Sequence, residues 1–334
     1  MKYWRGFLVA AIIGVVTMAI SALAKEYSLL VDMVYPYVSR MILTTLADWS
    51  ATVDFTLWQV LAVLMIVGLL ATIVLMIVLK WNPVQWLGWV LACAVTIALL
   101  HTGIYGLNYH AGPLADDLRL KVQQYTVTDL QNATEFYRDK ANALAVQMPR
   151  DEQGNLKLGS FSELAQQAGN GFEHLTYDKS YSVFAGATVP VKELGWADMY
   201  TSMGITGVTM PITGEAAVNP NIPAIGLPFT MCHEMAHRMS IAVERDANFA
   251  AFLACRANSN PEFQYSAYFM AYRYCYNALA SSNSSTATTA AAQVSAGASA
   301  LLKQDLIAYN SFFGDEEATY DEVCDLLVNW HIQR

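Results

Sequence analysis

The chain has 334 residues, of which 55% are apolar and 14% are charged, whereas soluble proteins have about 45 to 50% and 25%. This excess of apolar residues indicates a membrane protein. The formal net charge is -9 and the basic residues are not clustered, which excludes a nucleic-acid-binding protein because phosphate contacts need grouped Lys and Arg. The length allows a membrane part followed by one globular domain.

Three apolar segments predict transmembrane helices near residues 7–24, 60–79 and 86–105. Each is close to the roughly 20 helical residues that cross the hydrocarbon core of a bilayer. The first segment also resembles a signal peptide, because small residues at Ala22 and Ala24 precede a lysine in the pattern of a cleavage site. We favour an uncleaved anchor, so residues 1–107 form the predicted membrane anchor.

The basic residues that flank these segments predict the orientation of the chain. Lys2, Arg5 and Lys80 are expected on the cytoplasmic side, following the positive-inside rule. Residues 108–334 are then expected to form an extracytoplasmic domain. Between the first two segments, Tyr27 to Asp54 mixes a few charges with many apolar and aromatic residues. We expect an amphipathic helix along the outer interface there rather than an ordinary loop.

The composition becomes that of a soluble domain after about Leu107. Apolar residues at helical spacing predict one or two helices over 116–146, and Ser160 to Phe172 is typical of a helix that starts at a serine cap. Beta-branched residues, Gly and Pro between 181 and 228 predict a small sheet. Helices are expected from there almost to the end, interrupted by Ser281 to Ala300, which could be a flexible loop or a loosely packed helix.

The clearest chemical pattern is the HExxH sequence His233-Glu234-Met235-Ala236-His237. Residues four apart share one face of a helix, so His233 and His237 can bind one metal ion through imidazole nitrogens. Glu234 lies next to the first ligand and can act as general base on a water that the metal activates. The spacing therefore predicts a catalytic zinc site, with one Zn²⁺ per chain.

A third ligand is expected shortly after the second histidine. Glu244, seven residues after His237, would complete a His₂Glu ligand set with one open position for water. Asp246 is the alternative, since it lies two residues further on and would point elsewhere on a helix. Asn248 shares the helical face of Glu244 and is the predicted second-shell residue that orients a ligand.

The HEMAH sequence and the ERDANFAAF sequence that begins at Glu244 resemble the gluzincin metallopeptidases, whose second helix supplies a glutamate ligand. Asn248 stands where those proteins usually have aspartate. The chain is also similar to an uncharacterised bacterial membrane family, domain of unknown function 3810. The residues behind this similarity are the hydrophobic segments, Thr213-Gly214-Glu215, the HExxH, the ExxANF sequence and Tyr265-Ser266. The resemblance implies a mostly α (α+β) zincin-like metallopeptidase domain with a small sheet, preceded by transmembrane helices, in the bacterial cytoplasmic membrane.

Other residues near these motifs remain open. The gluzincin resemblance implies that an edge strand within Gly207 to Asn219 binds the substrate backbone. Thr213 and Glu215 could contact substrate or form a plain turn. Four residues could donate a hydrogen bond to the transition state without any spacing to rank them: Tyr265, Tyr268, Arg273 and His331.

The five cysteines include no CxxC pair, which excludes a zinc ribbon and a thioredoxin-like motif. Cys232 precedes the first ligand, yet on a helix it would face away from His237, so we interpret it as a buried structural cysteine. A disulfide such as Cys255 with Cys275 stays open.

We therefore expect a membrane-anchored zinc peptidase that hydrolyses peptide bonds by metal-activated water, with a peptide or protein substrate, the lipid bilayer as surroundings and no nucleic-acid partner. One alternative is a membrane sensor or signalling protein that keeps a metallopeptidase fold. Another is a metal-stabilised scaffold without catalysis. The retained Glu234 favours the enzyme, because a scaffold has no use for a carboxylate beside the first ligand.

Overall fold

The computed structural model of the chain describes residues 2–186, 188–282, 284–313 and 320–334. It divides into two units, of which the first comprises Met1–Gly112 and Met210–Glu215, and the second comprises Pro113–Thr209 and Ala216–Arg334. The described residues are mostly helical and include a small three-stranded sheet. The predicted mostly α fold with a small sheet and apolar N-terminal helices is thus confirmed.

Among the described residues, four helices are long and apolar enough to cross a membrane. They are α1 Arg5–Glu26, α2 Ser28–Ser50, α3 Leu57–Val78 and α4 Pro83–Ile104. Three of them, α1, α3 and α4, coincide with the predicted transmembrane segments. The fourth, α2, occupies the region for which the sequence predicted an interfacial helix, and it is longer and more regular than that prediction required.

Helices α1 and α4 run in the same direction. Gly6 and Gly88, both near the start of their helices, bring the backbones together so closely that a Cβ on Gly6 would stand 2.4 Å from the carbonyl carbon of Gly88. Helix α3 runs back towards the start of α4 through the turn at 79–82, and Trp86 donates a hydrogen bond from Nε1 to the Thr72 hydroxyl at 3.1 Å. The start of α3 therefore lies at the same end of the first unit as the ends of α1 and α4.

Helix α2 starts next to the end of α1 and leads to the start of α3, and both of these lie at that same end of the first unit. It begins two residues after α1 finishes, and its first half hydrogen-bonds to the end of α4: Ser39 Oγ donates to the Ile104 carbonyl at 2.7 Å, and Tyr35 donates to the Thr102 carbonyl at 3.1 Å. The helix is about 34 Å long, whereas the six residues 51–56 that lead to α3 extend at most about 20 Å. If α1, α3 and α4 cross a bilayer about 30 Å thick, α2 has no room to cross it as well.

The segment Met210–Glu215 belongs to the first unit. The Glu215 side chain is buried, and its two carboxylate oxygens accept the backbone N–H groups of Leu57 at 2.7 Å and Trp58 at 2.8 Å. These N–H groups are in the first turn of α3 and have no partner within that helix. A carboxylate there is favourable both as a hydrogen-bond acceptor and because of the helix dipole.

The second unit is built from packed helices. Their bounds are α5 Leu114–Asp117, α6 Val127–Ala145, α7 Phe161–Thr176, α8 Ala197–Ser202, α9 Leu227–Arg238, α10 Glu244–Ala257, α11 Pro261–Ser281, α12 Ser285–Ala296, α13 Ala300–Phe313 and α14 Tyr320–Ile332. Helix α6 starts at a Thr126–Asp129 capping box, and α7 starts at a capping box between Ser160 and Glu163, as the sequence predicted for a serine cap. The open segment from Ser281 to Ala300 contains helix α12, whose Ala287, Ala290 and Val294 are buried.

Three short strands form the sheet: β1 Lys192–Glu193, β2 Gly207–Met210 and β3 Glu215–Val218. The order is β1-β3-β2, with β3 parallel to β1 and in register at Lys192 with Ala217. Strand β3 is fully buried, whereas β2 is half-buried and lies at the edge of the sheet. Within the region 181–228, for which the sequence predicted a sheet, the described residues of Val183 to Val191 form no strand, and a short 3₁₀ helix at Lys179–Phe184 overlaps their start. Ala187 lies outside the described residues.

Candidate metal centre

The HExxH sequence lies on α9, as predicted. This helix starts with Pro228 in its first turn, where proline is compatible with helical geometry. His233 and His237 are one turn apart on one face, and their ring centroids are 4.6 Å apart. After Arg238 the chain turns back on the helix end, so that the Ile241 carbonyl accepts a hydrogen bond from Nδ1 of His237 at 2.8 Å. With Nδ1 donating to this carbonyl, Nε2 is the ring nitrogen of His237 that can bind a metal.

Glu244 is the first residue of α10. Only six residues separate it from His237, and this tight turn places its carboxylate against both histidine rings. Oε2 of Glu244 is 3.2 Å from Nε2 of His233, and Oε1 is 3.4 Å from Nε2 of His237. The two Nε2 atoms are 3.0 Å apart.

These distances fit a single tetrahedral metal ion. Zinc binds nitrogen and oxygen ligands at about 2.0 to 2.1 Å, which places neighbouring corners of the tetrahedron about 3.3 Å apart. Each pair of ligand atoms in the cluster of His233, His237 and Glu244 is within a few tenths of an ångström of that value. The cluster can hold a metal ion, and its imidazole and carboxylate donors also suit other divalent transition metals.

The electrostatics of the cluster show that it favours a cation between the three groups. Hydrogen bonds from His233 and His237 hold the pKa of Glu244 well below its usual range, against a smaller opposing effect of burial. Burial lowers the pKa of His237, but the hydrogen bond to Glu244 and the negative charges of Glu234 and Glu244 outweigh it, so this pKa is raised.

Glu234 lies next to this cluster with 4% of its surface exposed. Its Oε2 is 2.7 Å from the hydroxyl of Thr209 on strand β2, and the same hydroxyl is 2.8 Å from the main-chain carbonyl of Glu234. The hydroxyl has one proton and can donate to one of these oxygens at a time. Thr209 therefore ties the Glu234 carboxylate to strand β2 and limits its rotation.

Gly207 provides the space that the Glu234 side chain occupies. A Cβ on Gly207 would stand 2.5 Å from Oε1 of Glu234 and 2.8 Å from its carboxyl carbon. The gluzincin resemblance implied a substrate strand within Gly207 to Asn219, but nothing in the sequence connects Gly207 or Thr209 to Glu234. Nothing in their spacing indicates that contact, because it depends on how β2 packs against α9.

The two candidates for the third ligand, Glu244 and Asp246, lie in different places. Asp246 is buried away from the cluster, where Oδ2 accepts the backbone N–H of Leu114 at 3.0 Å and Oδ1 accepts Nε of Arg245 at 2.9 Å. Asp246 thus caps helix α5, and Glu244 is the residue beside the histidines. Asn248 is half-buried one turn after Glu244, and the structure describes no hydrogen bond between it and a ligand, so its second-shell role stays a prediction.

The four candidates for a transition-state donor have partners in the helical core. Tyr265 donates a hydrogen bond to the Asp305 carboxylate, which also forms a two-pronged ion pair with Arg150 at 2.7 and 2.9 Å. Tyr268 packs against the ring of Phe252, and His331 packs against the ring of Phe136. Arg273 donates a hydrogen bond to Asn310 and lies over the ring of Tyr309. The structure adds no argument for assigning any of the four to the metal centre.

The four cysteines of the second unit are buried free thiols. Cys232 is buried in α9 and its Sγ lies 3.7 Å from the Ala168 carbonyl, consistent with the predicted structural position. The Cys255 Sγ lies 3.4 Å from the Pro228 carbonyl in the first turn of α9. The disulfide between Cys255 and Cys275 that the sequence left open is not formed, since both residues are free thiols.

A comparison with protein-family models matches residues 31–329 to the family described as protein of unknown function (DUF3810). No curated protein matches the chain, and no solved structure matches it.

Proposed function

The chain belongs to the DUF3810 family, and from the geometry of its own site we propose that it is a membrane-anchored, zinc-dependent peptidase with a zincin-like domain. His233, His237 and Glu244 hold the metal, and Glu234 is the general base. The observation that carries this proposal is the convergence of three ligand atoms on tetrahedral spacing beside a buried carboxylate that binds none of them.

The number of ligands supports catalysis rather than a structural role. Structural zinc sites usually have four protein ligands, whereas catalytic sites have three and leave one position open. Within the described residues, the cluster offers three. When bound, a divalent metal supplies a Lewis acid that polarises a peptide carbonyl and lowers the pKa of water to about 7.

Side chains of the protein carry out the proton transfer and hold the general base in position. Glu234 takes the proton from the attacking water and delivers it to the leaving amine, which requires a carboxylate held in one position. Thr209 holds it through the hydrogen bond at 2.7 Å. The burial of Glu234 limits competition from bulk solvent and strengthens the electrostatic interactions of its carboxylate.

Strand β2 is suited to bind an extended peptide. It lies at the edge of the sheet, so one row of its backbone N–H and C=O groups is free to pair with another strand. Gly207 adds no side chain next to Glu234. Substrates of this kind are unfolded peptides or extended segments of proteins.

We infer that the peptidase domain lies on the opposite side of the membrane from the N-terminus. If α1, α3 and α4 each cross the membrane, the chain after α4 is on the side opposite the N-terminus. Helix α2 then lies along the interface. The exposed side of α2 is apolar, with Leu29, Met33 and Met41 each at least 64% exposed. Since Arg5 and Lys80 favour the cytoplasmic side, the domain is extracytoplasmic. Labelling Glu152→Cys in whole cells with a membrane-impermeant thiol reagent tests this, and protection of that cysteine would refute it.

The proposed activity is tested on the full-length protein purified in detergent. Metal content is measured by mass spectrometry for the wild type, His237→Ala and Glu244→Ala, with the exposed His174→Ala as control. Cleavage of a peptide library is measured for the wild type and Glu234→Gln, with the exposed Glu152→Gln as control.

We expect about one metal ion per wild-type chain, its loss in both ligand variants, and cleavage that disappears in Glu234→Gln while the metal stays. A wild type that binds no metal would refute the metal site. A metal-bound wild type whose cleavage is the same as that of Glu234→Gln would refute catalysis and support the scaffold.

A further inference from the structure

Strand β2 leads directly into the short segment, Met210–Glu215, that belongs to the first unit. The strand ends at Met210, and the four residues Pro211 to Gly214 form the turn that joins it to β3. A turn of this kind usually lies on the surface of a domain. Here Pro211, Thr213 and Gly214 are buried, so the turn is packed against other parts of the protein.

Helix α2 is one of the elements that bury the turn. Gly214 has a φ of +65°, and a Cβ on it would stand 2.5 Å from the backbone nitrogen of Ala47 and 2.6 Å from the carbonyl oxygen of Leu43. Glycine is therefore needed at this position both for its positive φ and for the close approach to the helix. Leu43 and Ala47 are themselves buried. The backbone of the turn thus lies directly against the backbone of α2.

The residue after the turn contacts a second helix of the first unit. The Glu215 carboxylate accepts the N–H groups of Leu57 and Trp58 in the first turn of α3, at 2.7 and 2.8 Å. With α1, α3 and α4 crossing the bilayer, α2 lies along the outer interface and α3 enters the bilayer at this point. The contacts with α2 and α3 therefore hold the turn at the outer surface of the membrane.

The strand that ends in this turn also carries the residues beside the general base. The Thr209 hydroxyl is 2.7 Å from Oε2 of Glu234, and a Cβ on Gly207 would stand 2.5 Å from Oε1. Gly214 follows Thr209 by five residues, so the chain between them spans at most about 18 Å. The thickness of α2 adds about 10 Å. Measured along the chain and across α2, Thr209 is thus at most about 28 Å from the lipid.

The same length can be expressed in residues of a bound peptide. A peptide paired with β2 follows the strand at about 3.3 Å per residue, so about eight residues cover 28 Å. An extended segment that emerges from the bilayer can therefore reach the general base within about eight residues. A membrane anchor also keeps such a segment close to β2, which raises its effective concentration above that of a free peptide.

We propose that the substrates are proteins held in the same membrane by a transmembrane helix, and that they are cleaved on the extracytoplasmic side within about eight residues of that helix. This substrate class rests on the proposed peptidase activity and on the position of α2 at the outer interface. The substrate segment pairs with the free edge of β2, and the turn on α2 fixes the height of that edge above the lipid.

The test measures how cleavage depends on the distance from a membrane anchor. Full-length protein is reconstituted into liposomes with synthetic peptides that contain a cleavage sequence selected from the peptide library and one transmembrane helix of leucine and alanine. A flexible spacer places the scissile bond about 8 or about 24 residues from the helix. Each peptide is made with the cleavage sequence before the helix and after it, because a partner strand can pair in either direction. The controls are the cleavage sequence without the helix, and Glu234→Gln in place of the wild type.

We expect the substrate with the short spacer to be cleaved about fivefold faster than the one with the long spacer, in one or both directions, because the effective concentration of a tethered segment falls as about the −3/2 power of its length. A site far above the membrane gives the opposite order, since a short spacer does not reach it. Equal rates, or faster cleavage with the long spacer in both directions, would overturn the proposal. Cleavage of the free peptide would in that case still support the peptidase activity, whereas no cleavage of any substrate by the wild type would overturn the activity and the substrate class together.

Discussion

Gly207→Ala is the substitution that best separates the position of the general base from metal binding. Gly207 has an ordinary negative φ, so alanine fits the backbone there. The new methyl group, however, would lie 2.5 Å from Oε1 of Glu234, and an ordinary contact of 3.4 Å requires the carboxylate to move by about 0.9 Å. A misplacement of about 1 Å in a catalytic group can cost on the order of 100-fold in rate, or about 2.7 kcal/mol of transition-state stabilisation.

We therefore expect Gly207→Ala to lower kcat/KM for peptide cleavage by about 100-fold, mainly through kcat. Metal content should be unchanged, because the three atoms nearest this methyl position all belong to Glu234, which is not one of the three ligands. Gly68→Ala is the matched control, since a Cβ there meets nothing within 4 Å. The reasoning is wrong if Gly207→Ala cleaves peptides within threefold of the wild type, or if it loses its metal.

Three further predictions concern other contacts. Thr209→Val removes the hydrogen bond to Glu234 and should lower kcat about tenfold. Thr209→Ser keeps the hydroxyl and should keep most of the wild-type kcat. Metal affinity, measured by competition with a chelator from about pH 6 to 9, should rise with pH, because protons compete for His237 and its pKa is raised. Glu215→Gln should destabilise the first unit in detergent by about 1 to 3 kcal/mol, because it removes a charged acceptor at the start of α3.

Each of these has an outcome that contradicts it. A Thr209→Ser protein as slow as Thr209→Val would show that the hydroxyl does not act through its hydrogen bond. A chelator competition curve that is flat with pH would contradict the role of His237 as a metal ligand. Equal thermal unfolding of Glu215→Gln and the exposed control Glu152→Gln would show that α3 does not depend on the Glu215 carboxylate.

The sequence alone determined the features that depend on neighbours along the chain. The HExxH spacing predicted that His233 and His237 share one face of a helix, because that relation follows from 3.6 residues per turn. Ser160 predicted a helix start because its cap bonds to a residue three positions ahead. The apolar runs predicted α1, α3 and α4 because the thickness of a bilayer sets the length of a crossing helix. These inferences need no knowledge of distant contacts.

Only the tertiary structure decided which residues meet across the chain. The choice of Glu244 over Asp246 depends on a six-residue turn that directs one carboxylate to the histidines and the other to helix α5. The contacts of Gly207 and Thr209 with Glu234 depend on the packing of an edge strand against α9. The contact of Cys255 with the Pro228 carbonyl depends on the packing of α10 on α9. No periodicity in the sequence records such contacts, because they arise from how separate elements bury their apolar faces together.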